Sequence, residues 1–170
     1  TLSAELSYQR FMLKDWSYLY IKLNNGQYMN TGNCNNLSLN LTLSRNSTDN
    51  PIFPRYGSEF SASLQITPPY SLFSKKDYST YGKDNYHDAA SMYKWIEYHK
   101  WKFKAKTYTA LMDIQKCPVI MTRTEFGILG HFNKYKRSPF ETFYVGGDGM
   151  TGYSYNYASE TIALRGYENG

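Results

Sequence analysis

Lys100-Trp101-Lys102-Phe103-Lys104-Ala105-Lys106-Thr107 sets four lysines on one side of an extended chain and Trp101, Phe103, Ala105 and Thr107 on the other. Successive side chains of a strand point to opposite faces, so a period of two predicts a strand with one charged and one largely apolar face. The extended stretch covers 95–111, beyond the usual five or six residues of a globular strand. A tilted membrane-crossing strand needs about 9–11 residues, which this stretch supplies.

The same period governs the rest of the chain. Leu2, Ala4, Leu6 and Tyr8 alternate with Ser3, Glu5, Ser7 and Gln9; Leu19, Ile21 and Leu23 alternate with Tyr18, Tyr20, Lys22 and Asn24. Leu37, Leu39, Leu41 and Leu43 alternate with Ser38, Asn40, Thr42 and Ser44, and Phe60, Ala62, Leu64 and Ile66 with Glu59, Ser61, Ser63 and Gln65. Beyond the lysine run, Ile120, Thr122, Thr124, Phe126 and Ile128 oppose Met121, Arg123 and Glu125. Six strands are expected, and helical periodicity is almost absent. Tight turns are expected at 13–16, around Lys14-Asp15, and at 112–118, ending at Pro118. A longer turn at 46–57 carries Pro51, Pro54 and Gly57. Long polar connections fall at 24–35, 68–94 and 132–170. Short and long connections therefore alternate, as they do where short turns face the periplasm and longer loops the exterior.

Charge decides which face meets lipid. A Lys or Arg on the lipid side near the bilayer midplane costs about 2–4 kcal/mol. Four lysines there would cost on the order of ten kcal/mol, as much as a whole domain's stability. Lys100, Lys102, Lys104, Lys106, Arg123 and Glu125 are therefore expected to face a wet lumen, with Glu5, Lys22 and Glu59. The plainer role for these charges is mutual pairing and solvation; specific ion conduction is the alternative. Trp95, Tyr98 and Trp101 near one end of the strands, and Trp16 with Tyr18 near the other, fit aromatic girdles, with ordinary packing as the competing explanation. The expected fold is all-β: an antiparallel up-and-down transmembrane β-barrel. Six strands cannot close one, because single-chain bacterial barrels have at least eight and an open edge in lipid leaves backbone groups unpaired. Residues 1–170 are thus expected to be a partial barrel domain whose remaining strands lie elsewhere. The absence of an initiator Met and of a signal peptide points the same way.

Composition narrows the alternatives. No run of 18 apolar residues exists, which excludes a spanning helix. Eighteen tyrosines in 170 residues suit surfaces with one dry and one wet side. The net charge of +5 is spread along strands and loops with no run of more than two, so nucleic acid is not an expected partner. Cys34 and Cys117 lack metal or redox spacing, and their positions near opposite strand ends argue against a disulfide. His87, His99 and His131 lack ligand spacing, so no metal and no cofactor is expected. Glu59 with Glu125, or Asp148 with Glu160, would make an acid/base pair only with a nucleophile and oxyanion-hole pattern that the sequence lacks, so the chain is not read as an enzyme. The Asn36, Asn40 and Asn46 sequons are chance matches in polar-alternating strands. A soluble sugar-binding β-sandwich remains as an alternative, although loops beyond about 12–15 residues are uncommon there.

Two motifs carry a family resemblance. Ser138-Pro139-Phe140-Glu141-Thr142-Phe143-Tyr144-Val145-Gly146-Gly147 is followed, after a Tyr- and Gly-rich insertion, by Leu164-Arg165-Gly166-Tyr167. The turn Phe53-Pro54-Arg55-Tyr56-Gly57-Ser58-Glu59-Phe60 has the form FPxxGS. Together these resemble the outer-membrane assembly factor BamA and its superfamily, which also includes TamA and two-partner-secretion translocators. The strand order matches as well, so the resemblance covers nearly the whole chain.

The resemblance implies a segment of about six strands, the sixth to eleventh, of a sixteen-stranded barrel in the outer membrane of a Gram-negative bacterium. It implies a periplasmic turn at Phe53, Pro54, Gly57 and Ser58, and a sixth-loop base at Phe143, Tyr144, Gly146 and Gly147. It also implies a latch formed by Leu164, Arg165, Gly166 and Tyr167. In the family this arginine meets acidic side chains inside the lumen, a task that suits a planar, permanently charged guanidinium. The implied function is folding and insertion of outer-membrane proteins. The implied partners are outer-membrane lipid, nascent β-barrel proteins, accessory lipoproteins of an assembly complex and the remaining strands of the same barrel. The alternative within the superfamily is a protein-translocating pore, and outside it a diffusion porin. The amino-terminal polypeptide-transport (POTRA) repeats of the family are not in this chain. The insertion between Gly147 and Leu164 departs from the family, where the linker has only a few residues.

Overall fold

The computed structural model describes residues 1–14, 31–74, 78, 92–114, 117–138, 140–141, 143–145 and 160–162. Five long strands form one sheet in the order β1-β2-β3-β4-β5: β1 Leu2–Leu13, β2 Gly32–Asn46, β3 Tyr56–Ile66, β4 His99–Ala110 and β5 Val119–Gly130. A four-residue helix α1, Tyr70–Phe73, and two short parallel strands, β6 Phe143–Val145 and β7 Glu160–Ile162, complete the described elements. No helix among the described residues is long and apolar enough to cross a membrane. The five sheet strands are 11 to 15 residues long, enough for a tilted crossing.

Within the five-stranded sheet, every pairing with a defined register is antiparallel between sequence neighbours, which is the up-and-down pattern. At the β1 edge, Thr1 and Ser44 exchange both backbone bonds, at 2.7 and 2.8 Å, the signature of an antiparallel pair. The neighbour of β1 is thus β2, and the alternating run at 18–24 lies outside the described residues. Five of the six expected strands lie in this sheet among the described residues, and the expected turn at 13–16 falls mostly outside them. Short and long stretches separate consecutive strands of the sheet. Segments 14–31 and 67–98 are long, while 47–55 and 111–118 are short, so the two kinds leave from opposite ends of an antiparallel sheet.

The chain divides into two compact units. The first comprises Thr1–Ser7, Leu37–Thr67 and His99–Gly130, the body of the sheet. Register puts Leu41, Leu64, Trp101 and Ile128 in one row across its strands, and Leu43, Ala62, Phe103 and Phe126 in the next. Phe60 and Phe103 meet edge to face on this side at 4.9 Å. The opposite face carries Thr42, Ser63 and Lys102 in one row and Ser44, Ser61, Lys104 and Glu125 in another. The apolar side is exposed: Leu2 is 74%, Phe126 60%, Trp101 50% and Phe103 36% exposed.

The second unit comprises Tyr8–Asn36, Pro68–Tyr98 and His131–Gly170. Its described buried residues include Cys34, Asn36, Met92, Tyr93, Ile96, Glu97, Tyr98, Lys136 and Glu141. Helix α1 follows Pro68-Pro69, whose fixed φ and missing N–H suit the edge of a helical turn. The girdle expectation needs one correction here. Trp101 lies exposed on the apolar face, but Tyr98 is fully buried, with its hydroxyl bonded to Asn36 and Glu141. Strand β4 begins only at His99, so strand parity does not govern Trp95 to Tyr98.

Candidate functional site

The charged face of the sheet is an ordered ladder. Asn46, Glu59, Lys106 and Arg123 occupy one cross-strand row, and Ser44, Ser61, Lys104 and Glu125 the row beside it. Lys106 Nζ donates to Glu59 Oε2 at 3.0 Å, and Arg123 Nε donates to Glu125 Oε1 at 2.8 Å. Lys106 and Arg123 stand directly opposite one another, a repulsive juxtaposition that the two carboxylates offset. Lys100 is buried, Lys102 and Lys106 are half-buried and Lys104 is exposed. All six expected charge positions thus share one face, opposite Trp101 and Phe103. At the ends of the apolar band the chemistry changes: Arg45 aligns with Phe60 at one end, and His99 with Ile66 at the other. Trp101 Nε1 donates to His99 Nδ1 at 3.1 Å. Gly130 leaves the space that the His99 ring fills, since a β-carbon there would collide with it.

The turn between β2 and β3 is built by side chains that satisfy its own backbone. Asp49 Oδ1 accepts the amides of Arg55 at 2.9 Å and Tyr56 at 3.1 Å, and these bonds hold its carboxyl below the ordinary range. Asn46 Oδ1 accepts the Thr48 amide, and Asn50 Oδ1 accepts the amides of Ile52 and Phe53. Gly57 has φ +109, a region that side chains avoid, and its missing β-carbon would lie against Ser47 O and Thr48 Cα. Ser58 closes the turn, its carbonyl accepting the Ser47 amide at 2.9 Å. Phe53 is 79% exposed and projects from the turn. Pro54 ends the connection just ahead of β3. The expected motif residues are therefore together in one turn.

Sequence reasoning missed Arg55, one of the unassigned positions inside that motif. Its guanidinium donates to the carbonyls of Met112 and Ile114 and to Cys117 Sγ at 3.3 Å. One side chain thereby ties the 47–55 turn to the 111–118 turn. The guanidinium also holds the Cys117 thiol below its ordinary range. Cys34 and Cys117 are both free thiols.

Within the second unit, Glu97 is a hub that sequence reasoning did not single out. Its Oε2 accepts the Ser71 amide of α1 at 2.7 Å and faces Lys136 Nζ at 3.7 Å. Both side chains of the ion pair are nearly inaccessible, and the Lys136 ammonium lies 5.8 Å from the Tyr70 ring and 5.4 Å from the Tyr78 ring. Nearby in sequence, Tyr98 joins Asn36 to Glu141. Three segments of the long connections are thus held by buried polar contacts alongside the buried Cys34, Met92, Tyr93 and Ile96. A charge spacing alone carries no signal for this, because the partners are far apart in sequence.

Of the sixth-loop candidates, Phe143 and Tyr144 lie in β6, which pairs with β7 in the register Phe143↔Glu160, Tyr144↔Thr161 and Val145↔Ile162. Gly146, Gly147, Leu164, Arg165, Gly166 and Tyr167 lie outside the described residues. Among the described residues no three His, Cys, Asp or Glu side chains gather as a metal-binding group.

A single up-and-down sheet with long strands, one open apolar face and a charged face behind it is a segment of a membrane β-barrel wall. The Omp85 superfamily domain matches residues 1–170, and the chain belongs to that superfamily. Its members are outer-membrane proteins and include insertases as well as translocators. No curated protein and no solved structure is detectably similar to the chain.

Proposed function

We propose that this chain is part of a non-catalytic, BamA-type insertase that folds and inserts other β-barrel proteins into the bacterial outer membrane. Its apolar face meets lipid and its lysine face lines the lumen. In this reading Arg165 is the latch, presented by Leu164 and Tyr167 on a backbone that Gly166 allows to bend closely. Nascent β-barrels are the substrate, and accessory lipoproteins are partners of the complete protein.

The observation that carries the reading is the co-occurrence, along one matched superfamily domain, of the Phe53–Ser58 turn, the Phe143–Gly147 loop base and the Leu164–Tyr167 signature. The built turn at Gly57 supports it, because a turn with this backbone tolerates little else at that position.

The test is complementation by the full-length protein carrying Arg165→Ala while the wild-type copy is depleted. Outer-membrane β-barrel protein levels should fall broadly, with partial rescue by Arg165→Lys. Unchanged levels would contradict the latch role. Loss of secretion of one exported protein, with other barrels at normal levels, would favour the translocating pore instead.

A further inference from the structure

Arg45 is a cation on the apolar face of the sheet. It shares a cross-strand row with Phe60, Ala105 and Thr124, and Phe60 meets Phe103 on that side. Its side chain is exposed and has no partner among the described residues. The chemistry of the face changes at this row. Towards the 47–55 turn the next row carries Ser58, Thr107 and Thr122, while in the other direction it carries Leu43, Ala62, Phe103 and Phe126. A guanidinium between hydroxyls and hydrocarbon stands where the polar headgroups of a bilayer meet its tails.

Beside Arg45 the apolar face is hollowed. Ala62 is the low point between Leu43 and Phe103, in a groove of about 410 Å³ bordered also by Leu64, Trp101 and Phe126. Arg45 and Ala62 are diagonal neighbours across β2 and β3, a spacing of about 7–8 Å. An arginine stem lies along apolar surface while its head stays at the wet edge, so one ligand can touch both. We propose that Arg45 and the Ala62 groove form a binding site for one anionic phospholipid, its phosphate on the guanidinium and an acyl chain in the groove. This rests on the lipid-facing reading proposed above. The occupant follows from complementarity. The groove is walled mainly by hydrocarbon and aromatic rings, which suits a tail, and the planar guanidinium matches phosphate oxygens two at a time. No carboxylate shares the row of Arg45 among the described residues, so a negative headgroup meets no repulsion there.

The test uses the full-length protein with Cys34→Ser and Cys117→Ser, reconstituted in phosphatidylcholine liposomes. Leu39→Cys, on the same face but outside the groove, carries a fluorophore. The liposomes are doped with tail-brominated phosphatidylglycerol or, at the same fraction, with tail-brominated phosphatidylcholine. Quenching should need about fivefold less of the anionic lipid, the enrichment that one arginine near a lipid surface supplies. Arg45→Gln should bring the two lipids to equality, Arg45→Lys should keep part of the preference, and Ala62→Leu, which fills the groove, should weaken it. Lys104→Gln, on the other face, removes the same charge and should leave the preference intact. Equal quenching by the two lipids in the unsubstituted protein would overturn the site. A preference that survives Arg45→Gln, or that falls equally in Lys104→Gln, would overturn the role of Arg45, and one indifferent to Ala62→Leu would overturn the groove. Quenching by neither lipid would overturn the lipid-facing reading itself, and the site with it.

Discussion

Lys106 Nζ and Glu59 Oε2 meet at 3.0 Å across β4 and β3, while the neighbouring Phe103 and Phe60 meet on the opposite face of the same two strands. One pair of strands thus carries an ion pair behind it and an aromatic pair in front. The two sides predict different costs for a new charge. Both partners of the ion pair are more than a third exposed, so Lys106→Ala should cost no more than about 1 kcal/mol. Phe103→Lys, on the face proposed to meet lipid, should cost about 2–4 kcal/mol. Denaturant titration of the full-length barrel in liposomes measures both. Equal costs would mean that the two faces see the same solvent.

Gly57 is the position in the β2–β3 turn where a side chain fits worst. Gly57→Ala must adopt φ +109 and place a methyl group against Thr48 Cα, with no flexible neighbour to yield. A destabilisation of about 1–3 kcal/mol from the backbone conformation alone is expected, plus the collision. Ser58→Ala removes only one hydroxyl contact with Ser47 and should cost about 1 kcal/mol or less. The comparison is read from thermal unfolding of the two variants.

The Asp49 carboxylate accepts two backbone amides, and its folded pKa lies below the ordinary value because those bonds favour the charged form. A depressed folded pKa contributes stability that is fully present above the unfolded pKa and is lost as pH falls through the folded one. The turn should therefore be intact at neutral pH and open progressively below about pH 4. Hydrogen exchange at the Arg55 and Tyr56 amides should accelerate over that window, relative to the intrinsic rate, and Asp49→Asn should abolish the pH dependence. An unchanged pH response in Asp49→Asn would assign the effect to another group.

Glu97 and Lys136 are buried together, so removing one partner is expected to be worse than removing both. Glu97→Ala strands the Lys136 ammonium between Tyr70 and Tyr78 and takes the acceptor from the Ser71 amide. The loss should be about 3–5 kcal/mol of local stability, with much of it regained in Glu97→Leu combined with Lys136→Met. Hydrogen exchange across 92–98 and 131–138 reports it. Additive single and double variants would show that the pair is not coupled.

Much of the sheet was legible because alternation is a local signal. The faces of Leu39 to Leu43, Phe60 to Ile66, Lys100 to Thr107 and Ile120 to Ile128 follow directly from parity, and the register keeps like with like. Turn chemistry at Pro51, Pro54 and Gly57 was equally local. Parity misled at Tyr98, where the strand has not yet begun and the ring is buried by tertiary contacts. It also gave no warning that β1 pairs directly with β2, since alternation marks strands without naming their neighbours. Arg55 and Glu97 were not legible, because each acts on partners brought together only by folding. The signature Leu164–Tyr167 rests on motif alone, as do Gly146 and Gly147.

The central claim is that the Phe103 side of this sheet faces acyl chains and the Lys102 side faces water. Single cysteines at 102, 103, 104 and 126, in the full-length protein lacking Cys34 and Cys117 and reconstituted in liposomes, test it most directly. Positions 102 and 104 should react with a water-soluble maleimide. Positions 103 and 126, tagged with a fluorophore before reconstitution, should instead be quenched by brominated lipid tails. Maleimide labelling at 103 and 126, with lipid quenching at 102 and 104, would contradict the account.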